Sequence, residues 1–154
     1  MAAGKPGAKA PKFTVPTTAG AFRLGDQGAE KLVVYFYPRD NTPGCTLEGS
    51  DFRDLAPEFR RARTRILGIS TDTLESHRKF REKMKFPFEL GSDEDHAVAS
   101  QFGVWKQKNM YGRKLMGIER STFLIDASGA LRREWRKVRV KGHAAEVLEA
   151  AREI

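Results

Sequence analysis

The chain runs to 154 residues, with 28 basic and 20 acidic side chains and a net charge of +8. That length suits one domain with a core of its own, and no apolar run approaches the roughly 20 residues needed to cross a bilayer. The single cysteine excludes an intramolecular disulfide and a cysteine-based metal knuckle. Residues 1–7 contain no apolar signal core, and the two observations together point to the cytoplasm.

In chain order, residues 1–10 read as a loose tail. Residues 12–15 and 21–24 form a small accessory hairpin. Residues 31–37, a near-continuous apolar and β-branched run, have the pattern of a strand buried on both faces. From residue 42 to about 63, Leu47, Phe52, Leu55 and Phe59 recur at helical spacing, with Pro57 as a kink point. Residues 65–71 make a second buried strand. Asp72-Thr73-Leu74-Glu75 caps a helix running to about Met84. Residues 97–102 form a short helix stopped by Gly103. Residues 104–119, with Gly112 and Gly117 and no clear period, read as a long loop over one end of the sheet. Residues 121–126 are a third strand that opens a hairpin into 131–136. A last helix spans about 143–152, with Val147 and Leu148 inward. The pattern is α/β, in one domain over residues 1–154.

The cysteine stands in Tyr37-Pro38-Arg39-Asp40-Asn41-Thr42-Pro43-Gly44-Cys45-Thr46, where the first buried strand passes into a helix. A free thiol has a pKa of about 8.5 and reacts as its thiolate. The unpaired N–H groups and dipole of a first helical turn favour negative charge. Thr42 suits the N-cap, Pro43 the first turn, and Gly44 a close approach of backbone to ligand. Pro38, lacking an N–H, ends the strand. A lone cysteine is otherwise a small buried hydrophobe; cap, proline and glycine together favour the reactive reading.

These residues carry a resemblance. Pro38-x-x-x-Thr42-x-x-Cys45 resembles the peroxiredoxin active-site motif. The stretch from Tyr35 to Thr46 is similar to the bacterioferritin comigratory protein, or peroxiredoxin Q, branch of that family. So, in their expected order, are residues 67–72, 92–96, 102–104 and 117–126, which extends the resemblance over nearly the whole chain. It implies a thioredoxin-like fold: a central mixed β-sheet flanked by helices, with a small N-terminal hairpin. It also implies a thiol-dependent peroxidase for hydrogen peroxide and organic hydroperoxides that needs no cofactor or metal. Cys45 would attack a peroxide oxygen in line, leaving a sulfenic acid and water or an alcohol. Thr42 would hold the peroxide, with backbone N–H groups at Gly44 and Cys45 donating to it. Arg120 would stabilise the thiolate and the charge developing on oxygen. Pro38 would shield the site from water. Glu48, one turn beyond Cys45, would join the substrate site with Gly44 by orienting an arginine.

The chain departs from that family at two places. Many members carry a resolving cysteine five residues after the reactive one, where this chain has Ser50. Others carry it on the next helix, at the position of Arg81. With neither present, the sulfenic acid needs an external thiol, for which thioredoxin, glutaredoxin and glutathione are all candidates. The expected state is a monomer or weak dimer.

Other signals are weaker. His77, His96 and His143 are too scattered to suggest a metal site, and His96 reads as a helix cap or surface residue. The basic stretch 132–141 suits a charged edge strand. It also supports an alternative reading, a thioredoxin-like binding module whose basic surface associates with nucleic acid. Well-mixed acidic residues argue against nucleic acid as the main partner.

Overall fold

The computed structural model describes residues 7–154. The elements are β1 (Thr14–Thr17), β2 (Gly20–Arg23), β3 (Lys31–Phe36), α1 (Pro43–Arg61), β4 (Thr64–Ser70), α2 (Leu74–Met84) and β5 (Glu89–Ser92). They continue with α3 (Ala97–Gln101), β6 (Trp105–Met110), β7 (Arg113–Ile118), β8 (Ser121–Ile125), β9 (Leu131–Trp135) and α4 (His143–Arg152). A seven-stranded sheet has the order β2-β1-β5-β4-β3-β8-β9, and β6 and β7 pair separately. The sheet is mixed: β3 runs parallel to β4, and β8 is antiparallel to β3.

The alternation of a strand divides β3 between two cores. Leu32, Val34 and Phe36 join Phe123, Val98, Phe102, Phe13 and Phe22 on the side of α3 and the N-terminal hairpin. Val33, Tyr35 and the following Tyr37 join Phe52, Phe59, Phe80, Val147 and Leu148 on the side of α1, α2 and α4. A strand covered by helices on both faces must be apolar at every position, and Leu32 to Tyr37 are all buried. Truncating Phe52, 0% exposed between sheet and helices, would cost about 3–5 kcal/mol. The parallel β3–α1–β4 unit places the start of α1 at the carboxyl end of β3, the end of such sheets at which ligand sites form.

Several expectations need correction. The 104–119 segment is not a loop but the β6–β7 hairpin, paired from Trp105↔Ile118 to Met110↔Arg113. Its strands lie largely in solvent on both faces, so no hydrophobic period marks them. Its turn, Tyr111-Gly112, has positive φ at both residues (53° and 77°), as a two-residue type I′ turn requires. The N-terminal hairpin is no accessory: β1 pairs with β5 at Thr17↔Gly91 and so extends the main sheet. β5 itself has no counterpart in the pattern reading, because four residues containing a glycine carry too little periodicity.

Of the expected tail, residues 1–6 lie outside the described residues. Residues 7–10 are tied to the start of β9 through Leu131 N to Ala8 O (2.7 Å) and Ala10 N to Gly129 O (2.9 Å). Leu47 does not belong to the buried stripe of α1 and is 51% exposed. His96 occupies the N-cap position of α3 but its side chain caps nothing. Asp93 does so instead, accepting from Val98 N and Ala99 N, while the half-buried His96 ring stacks on Trp105 at 4.2 Å. The cap of α2 is as expected, with Thr73 accepting from Ser76 N. β9 is the sheet edge on its side, as the basic stretch suggests.

Candidate active site

β3 ends at Phe36, and residues 37–42 carry the chain round into α1. The first helical bond runs from Thr46 N to Thr42 O (2.8 Å). Cys45 therefore lies in the first turn, and it is only 2% exposed. Thr42 has the extended backbone of an N-cap, yet its hydroxyl does not accept from the helix. It turns back and donates to Arg39 O at 3.0 Å, so the backbone caps α1 while the side chain braces the loop. Pro38 is half-buried in that loop.

Arg120 enters from the junction between β7 and β8, where its carbonyl accepts from Val138 N (3.0 Å). Its guanidinium forks: Nη2 donates to Cys45 Sγ at 3.3 Å, and Nη1 donates to Glu48 Oε1 at 2.6 Å. The fork needs room at Gly44. A Cβ there would stand 3.1 Å from Arg120 Nη2, so any larger residue shifts the guanidinium by a few tenths of an ångström. One helical turn separates Cys45 from Glu48, and that spacing lets one arginine reach both.

Glu48 is 1% exposed. Burial pushes its carboxyl up to about 7, and the attraction of Arg120 offsets only part of that rise. Its Oε2 finds no hydrogen-bond partner among the described residues. His143, the first residue of α4, bonds Thr122 Oγ1 at 2.8 Å; burial lowers it to about 4, Glu146 opposes that fall, and Arg120 adds to it. Burial, with the negative charges of Glu48 and Cys45, holds the Tyr35 hydroxyl well above its usual range. Tyr35 stacks on Phe52 (4.7 Å between centroids) and Tyr37 (5.5 Å), so the floor beneath the sulfur is aromatic.

The structure thus brings Cys45, Gly44, Glu48 and Arg120 together, with Thr42 at the mouth of the same turn and Pro38 in the loop before it. Pattern reading did not find Lys108. This residue of β6 lies along Gly117, whose Cβ would meet Lys108 Cδ at 3.5 Å. Burial and Arg120 lower its pKa, against the opposing pull of Cys45 and Glu119. Only recognition of the hairpin would have brought it to the site. Neither Ser50 nor Arg81 faces Cys45 as a partner: Ser50 Oγ donates to Thr46 O (2.8 Å), and Arg81 ties α2 to Phe88 O and Glu89. Ligand atoms of Asp40, Asp72 and His77 lie within 4.8 Å of one another, but hydroxyl, imidazole and backbone donors already engage both carboxylates.

A buried thiol in a first helical turn, bridged to a carboxylate by one arginine, stands at the end of a thioredoxin-like sheet. Residues 6–134 match the AhpC/TSA family, and the chain belongs to that family. It is 47% identical over 149 residues to peroxiredoxin Bcp of Bacillus subtilis, an alignment covering 96% of this chain and 95% of that one. The bacterioferritin comigratory protein of Xanthomonas campestris, described for its alkyl peroxide reduction activity, superposes with a TM-score of 0.87 at 46% identity, covering 92% of this chain and 90% of that one. A cysteine-to-serine mutant of PrxQ from Xylella fastidiosa gives a TM-score of 0.90 at 38% identity, covering 97% and 96%. The protein is a peroxiredoxin, a thiol-dependent peroxidase that takes peroxide as substrate and a thiol as reductant. The nucleic-acid alternative gains no support. Of its basic stretch, Arg132 pairs with Asp126, and Arg136 pairs with Glu134 and donates to the carbonyls of Phe102 and Gly103. Among the described residues, no helix is long and apolar enough to cross a membrane.

Proposed function

We propose that Cys45 is the peroxide-attacking nucleophile and that its cycle closes through an external thiol. The thiolate attacks one peroxide oxygen; the S–O bond forms as the O–O bond breaks, and the leaving oxygen takes a proton as water or an alcohol. Arg120 would hold the sulfur as thiolate and stabilise charge on the departing oxygen. Thr42 and the N–H groups at Gly44 and Cys45 would position the peroxide, Pro38 would keep water out, and Glu48 would orient Arg120. The observation that carries this reading is the Arg120 fork, which joins the chain's only thiol to a buried carboxylate.

With no second cysteine in the chain, the sulfenic acid would condense with an incoming thiol, releasing water, and a second thiol would then free Cys45 as a disulfide leaves. Thioredoxin, glutaredoxin and glutathione would each supply such a thiol. The setting we infer is a single cytoplasmic domain over residues 1–154, working as a monomer or weak dimer. The test is stopped-flow oxidation of the reduced protein, with intact mass after graded peroxide. The expected result is reaction far faster than free cysteine, one added oxygen at low peroxide and further oxygens at high peroxide, all lost in Cys45→Ser. Reaction no faster than free cysteine would sink the reading.

A further inference from the structure

The loop that delivers Thr42 and Cys45 holds itself weakly. Between the N–H of Tyr37 and the carbonyl of Thr42, the described residues form no backbone-to-backbone hydrogen bond. Besides the Thr42 hydroxyl on Arg39 O, what fixes it is Asp40, a residue with no part in the proposed chemistry. Its side chain is 1% exposed. One carboxylate oxygen accepts from Tyr37 OH at 2.7 Å; the other faces Ser76 Oγ and His77 Nδ1, each at 2.8 Å. The N–H of Asp40 donates to Asp72 Oδ2 at 2.8 Å, and Ser70 Oγ donates to the same oxygen. On its far side His77 Nε2 lies 2.9 Å from Gly91 O. A carbonyl oxygen only accepts, so Nε2 is the donor in that contact, while Nδ1 faces the Asp40 carboxylate and lies 3.4 Å from the Tyr37 hydroxyl. Every polar side-chain atom of the pair has a partner, which is the condition for burying it cheaply.

This network ties residues 37–40 to the end of β4, to α2 and to β5. It also orients Tyr37, whose ring belongs to the cluster that contains Cys45. The cycle makes two demands on that loop. Attack on peroxide requires the first turn as it stands, with Arg120 Nη2 at the sulfur. Reaction with a thiol larger than a peroxide requires access to Cys45, a residue only 2% exposed, so the first turn must give way.

We propose that Asp40 is a positioning residue, held by His77, and that this pair sets how readily the first turn of α1 opens to an incoming thiol. The proposal rests on the external-thiol reading of the cycle. Weakening the pair slows peroxide attack and speeds capture of the oxidised sulfur. A residue that merely supported the fold would not move the two rates in opposite directions.

The experiment compares the wild type with His77→Asn and Ser76→Ala. His77→Asn keeps a donor toward Asp40 and loses the bond to Gly91; Ser76→Ala removes one hydroxyl from Asp40 and tests the same network if the first variant folds poorly. Two rates are read: oxidation of the reduced protein by hydrogen peroxide, and consumption of 5-thio-2-nitrobenzoate by the protein oxidised with one equivalent of peroxide. The expected result for His77→Asn is at least a tenfold slower first rate and a severalfold faster second rate, with smaller changes of the same sign in Ser76→Ala. Unchanged rates, or two rates that fall together, overturn the positioning role while the wild type still completes its cycle. A wild type that is oxidised but never captured by thiol overturns both this role and the external-thiol reading.

Discussion

Arg120 is the residue on which the site's electrostatics converge. It supplies one N–H to the sulfur and another to Glu48, and both partners are almost fully buried. Lysine would keep the charge but lose the fork. In Arg120→Lys a single ammonium cannot reach both partners, so the peroxide rate should fall by about a hundredfold, the scale of removing one preorganised donor. Stopped-flow oxidation of the reduced variant reads this directly, and a loss under threefold would deny the fork its role. Gly44→Ala tests the same contact from the backbone side. The new methyl would stand 3.1 Å from Arg120 Nη2 and displace it by a few tenths of an ångström. A roughly tenfold slower peroxide reaction is expected, since small misplacements of positioned groups cost heavily. Sequence carried Cys45, Thr42 and Gly44 plainly, because they share one short motif. Arg120 and Glu48 were legible only through the family resemblance: nothing local distinguishes an arginine at a strand start or a carboxylate on a helix. Lys108, Asp40 and His77 could not be read at all, because their meaning depends on which strands and helices meet.

At the scale of the element, the first turns of α1 determine how the chemistry can close. Ser50 lies five residues beyond Cys45 on the same continuous helix. In an intact α-helix those Cα atoms are about 8.7 Å apart, beyond the roughly 7 Å limit for a disulfide. A cysteine placed there could close a bridge only if the helix between them unwound. Ser50→Cys should therefore, on oxidation with one equivalent of peroxide, give an intramolecular disulfide together with a measurable loss of helical circular dichroism. A disulfide formed with no change in helicity would contradict the rigid geometry; dimers alone would mean that α1 does not open. The same helix explains a misreading. Leu47 is five residues from Phe52, about 140° round a helix of 3.6 residues per turn, so with Phe52 and Phe59 against the sheet it stands in solvent. The β6–β7 hairpin failed to register for the opposite reason. It packs so little of itself that no hydrophobic pattern is imposed on it, and its turn uses Tyr111-Gly112 where Asn-Gly would have been recognised.

Across the whole molecule, the buried strands and amphipathic helices were legible because burial dictates their patterns, whereas the joining of β1 to β5 depends on long-range pairing that no local window contains. The same remoteness shapes the pH dependence. Glu48 on α1 and His143 on α4 are both buried near Arg120, and their shifts act in opposite directions. Glu48 is raised from 4.5 to about 7. Between those values the folded chain keeps a proton that the unfolded chain has released, so this group's contribution to stability falls as pH rises. His143 is lowered from 6.5 to about 4. Over that window the unfolded chain binds a proton that the folded chain refuses, so its contribution rises with pH. The two slopes oppose one another across nearly the same range, and the wild type hides both. Removing one group should expose the other. Relative to the wild type, His143→Asn should lose stability between pH 5 and 7, by an amount on the order of 2 kcal/mol, while Glu48→Gln should gain a similar amount over the same interval. The double variant should return close to the wild-type slope even if its absolute stability is lower. Urea unfolding of the four proteins at pH 5, 6 and 7 measures these differences. Parallel profiles for the wild type and His143→Asn would show that the imidazole titrates alike in the folded and unfolded chains, and the compensation would have to be abandoned.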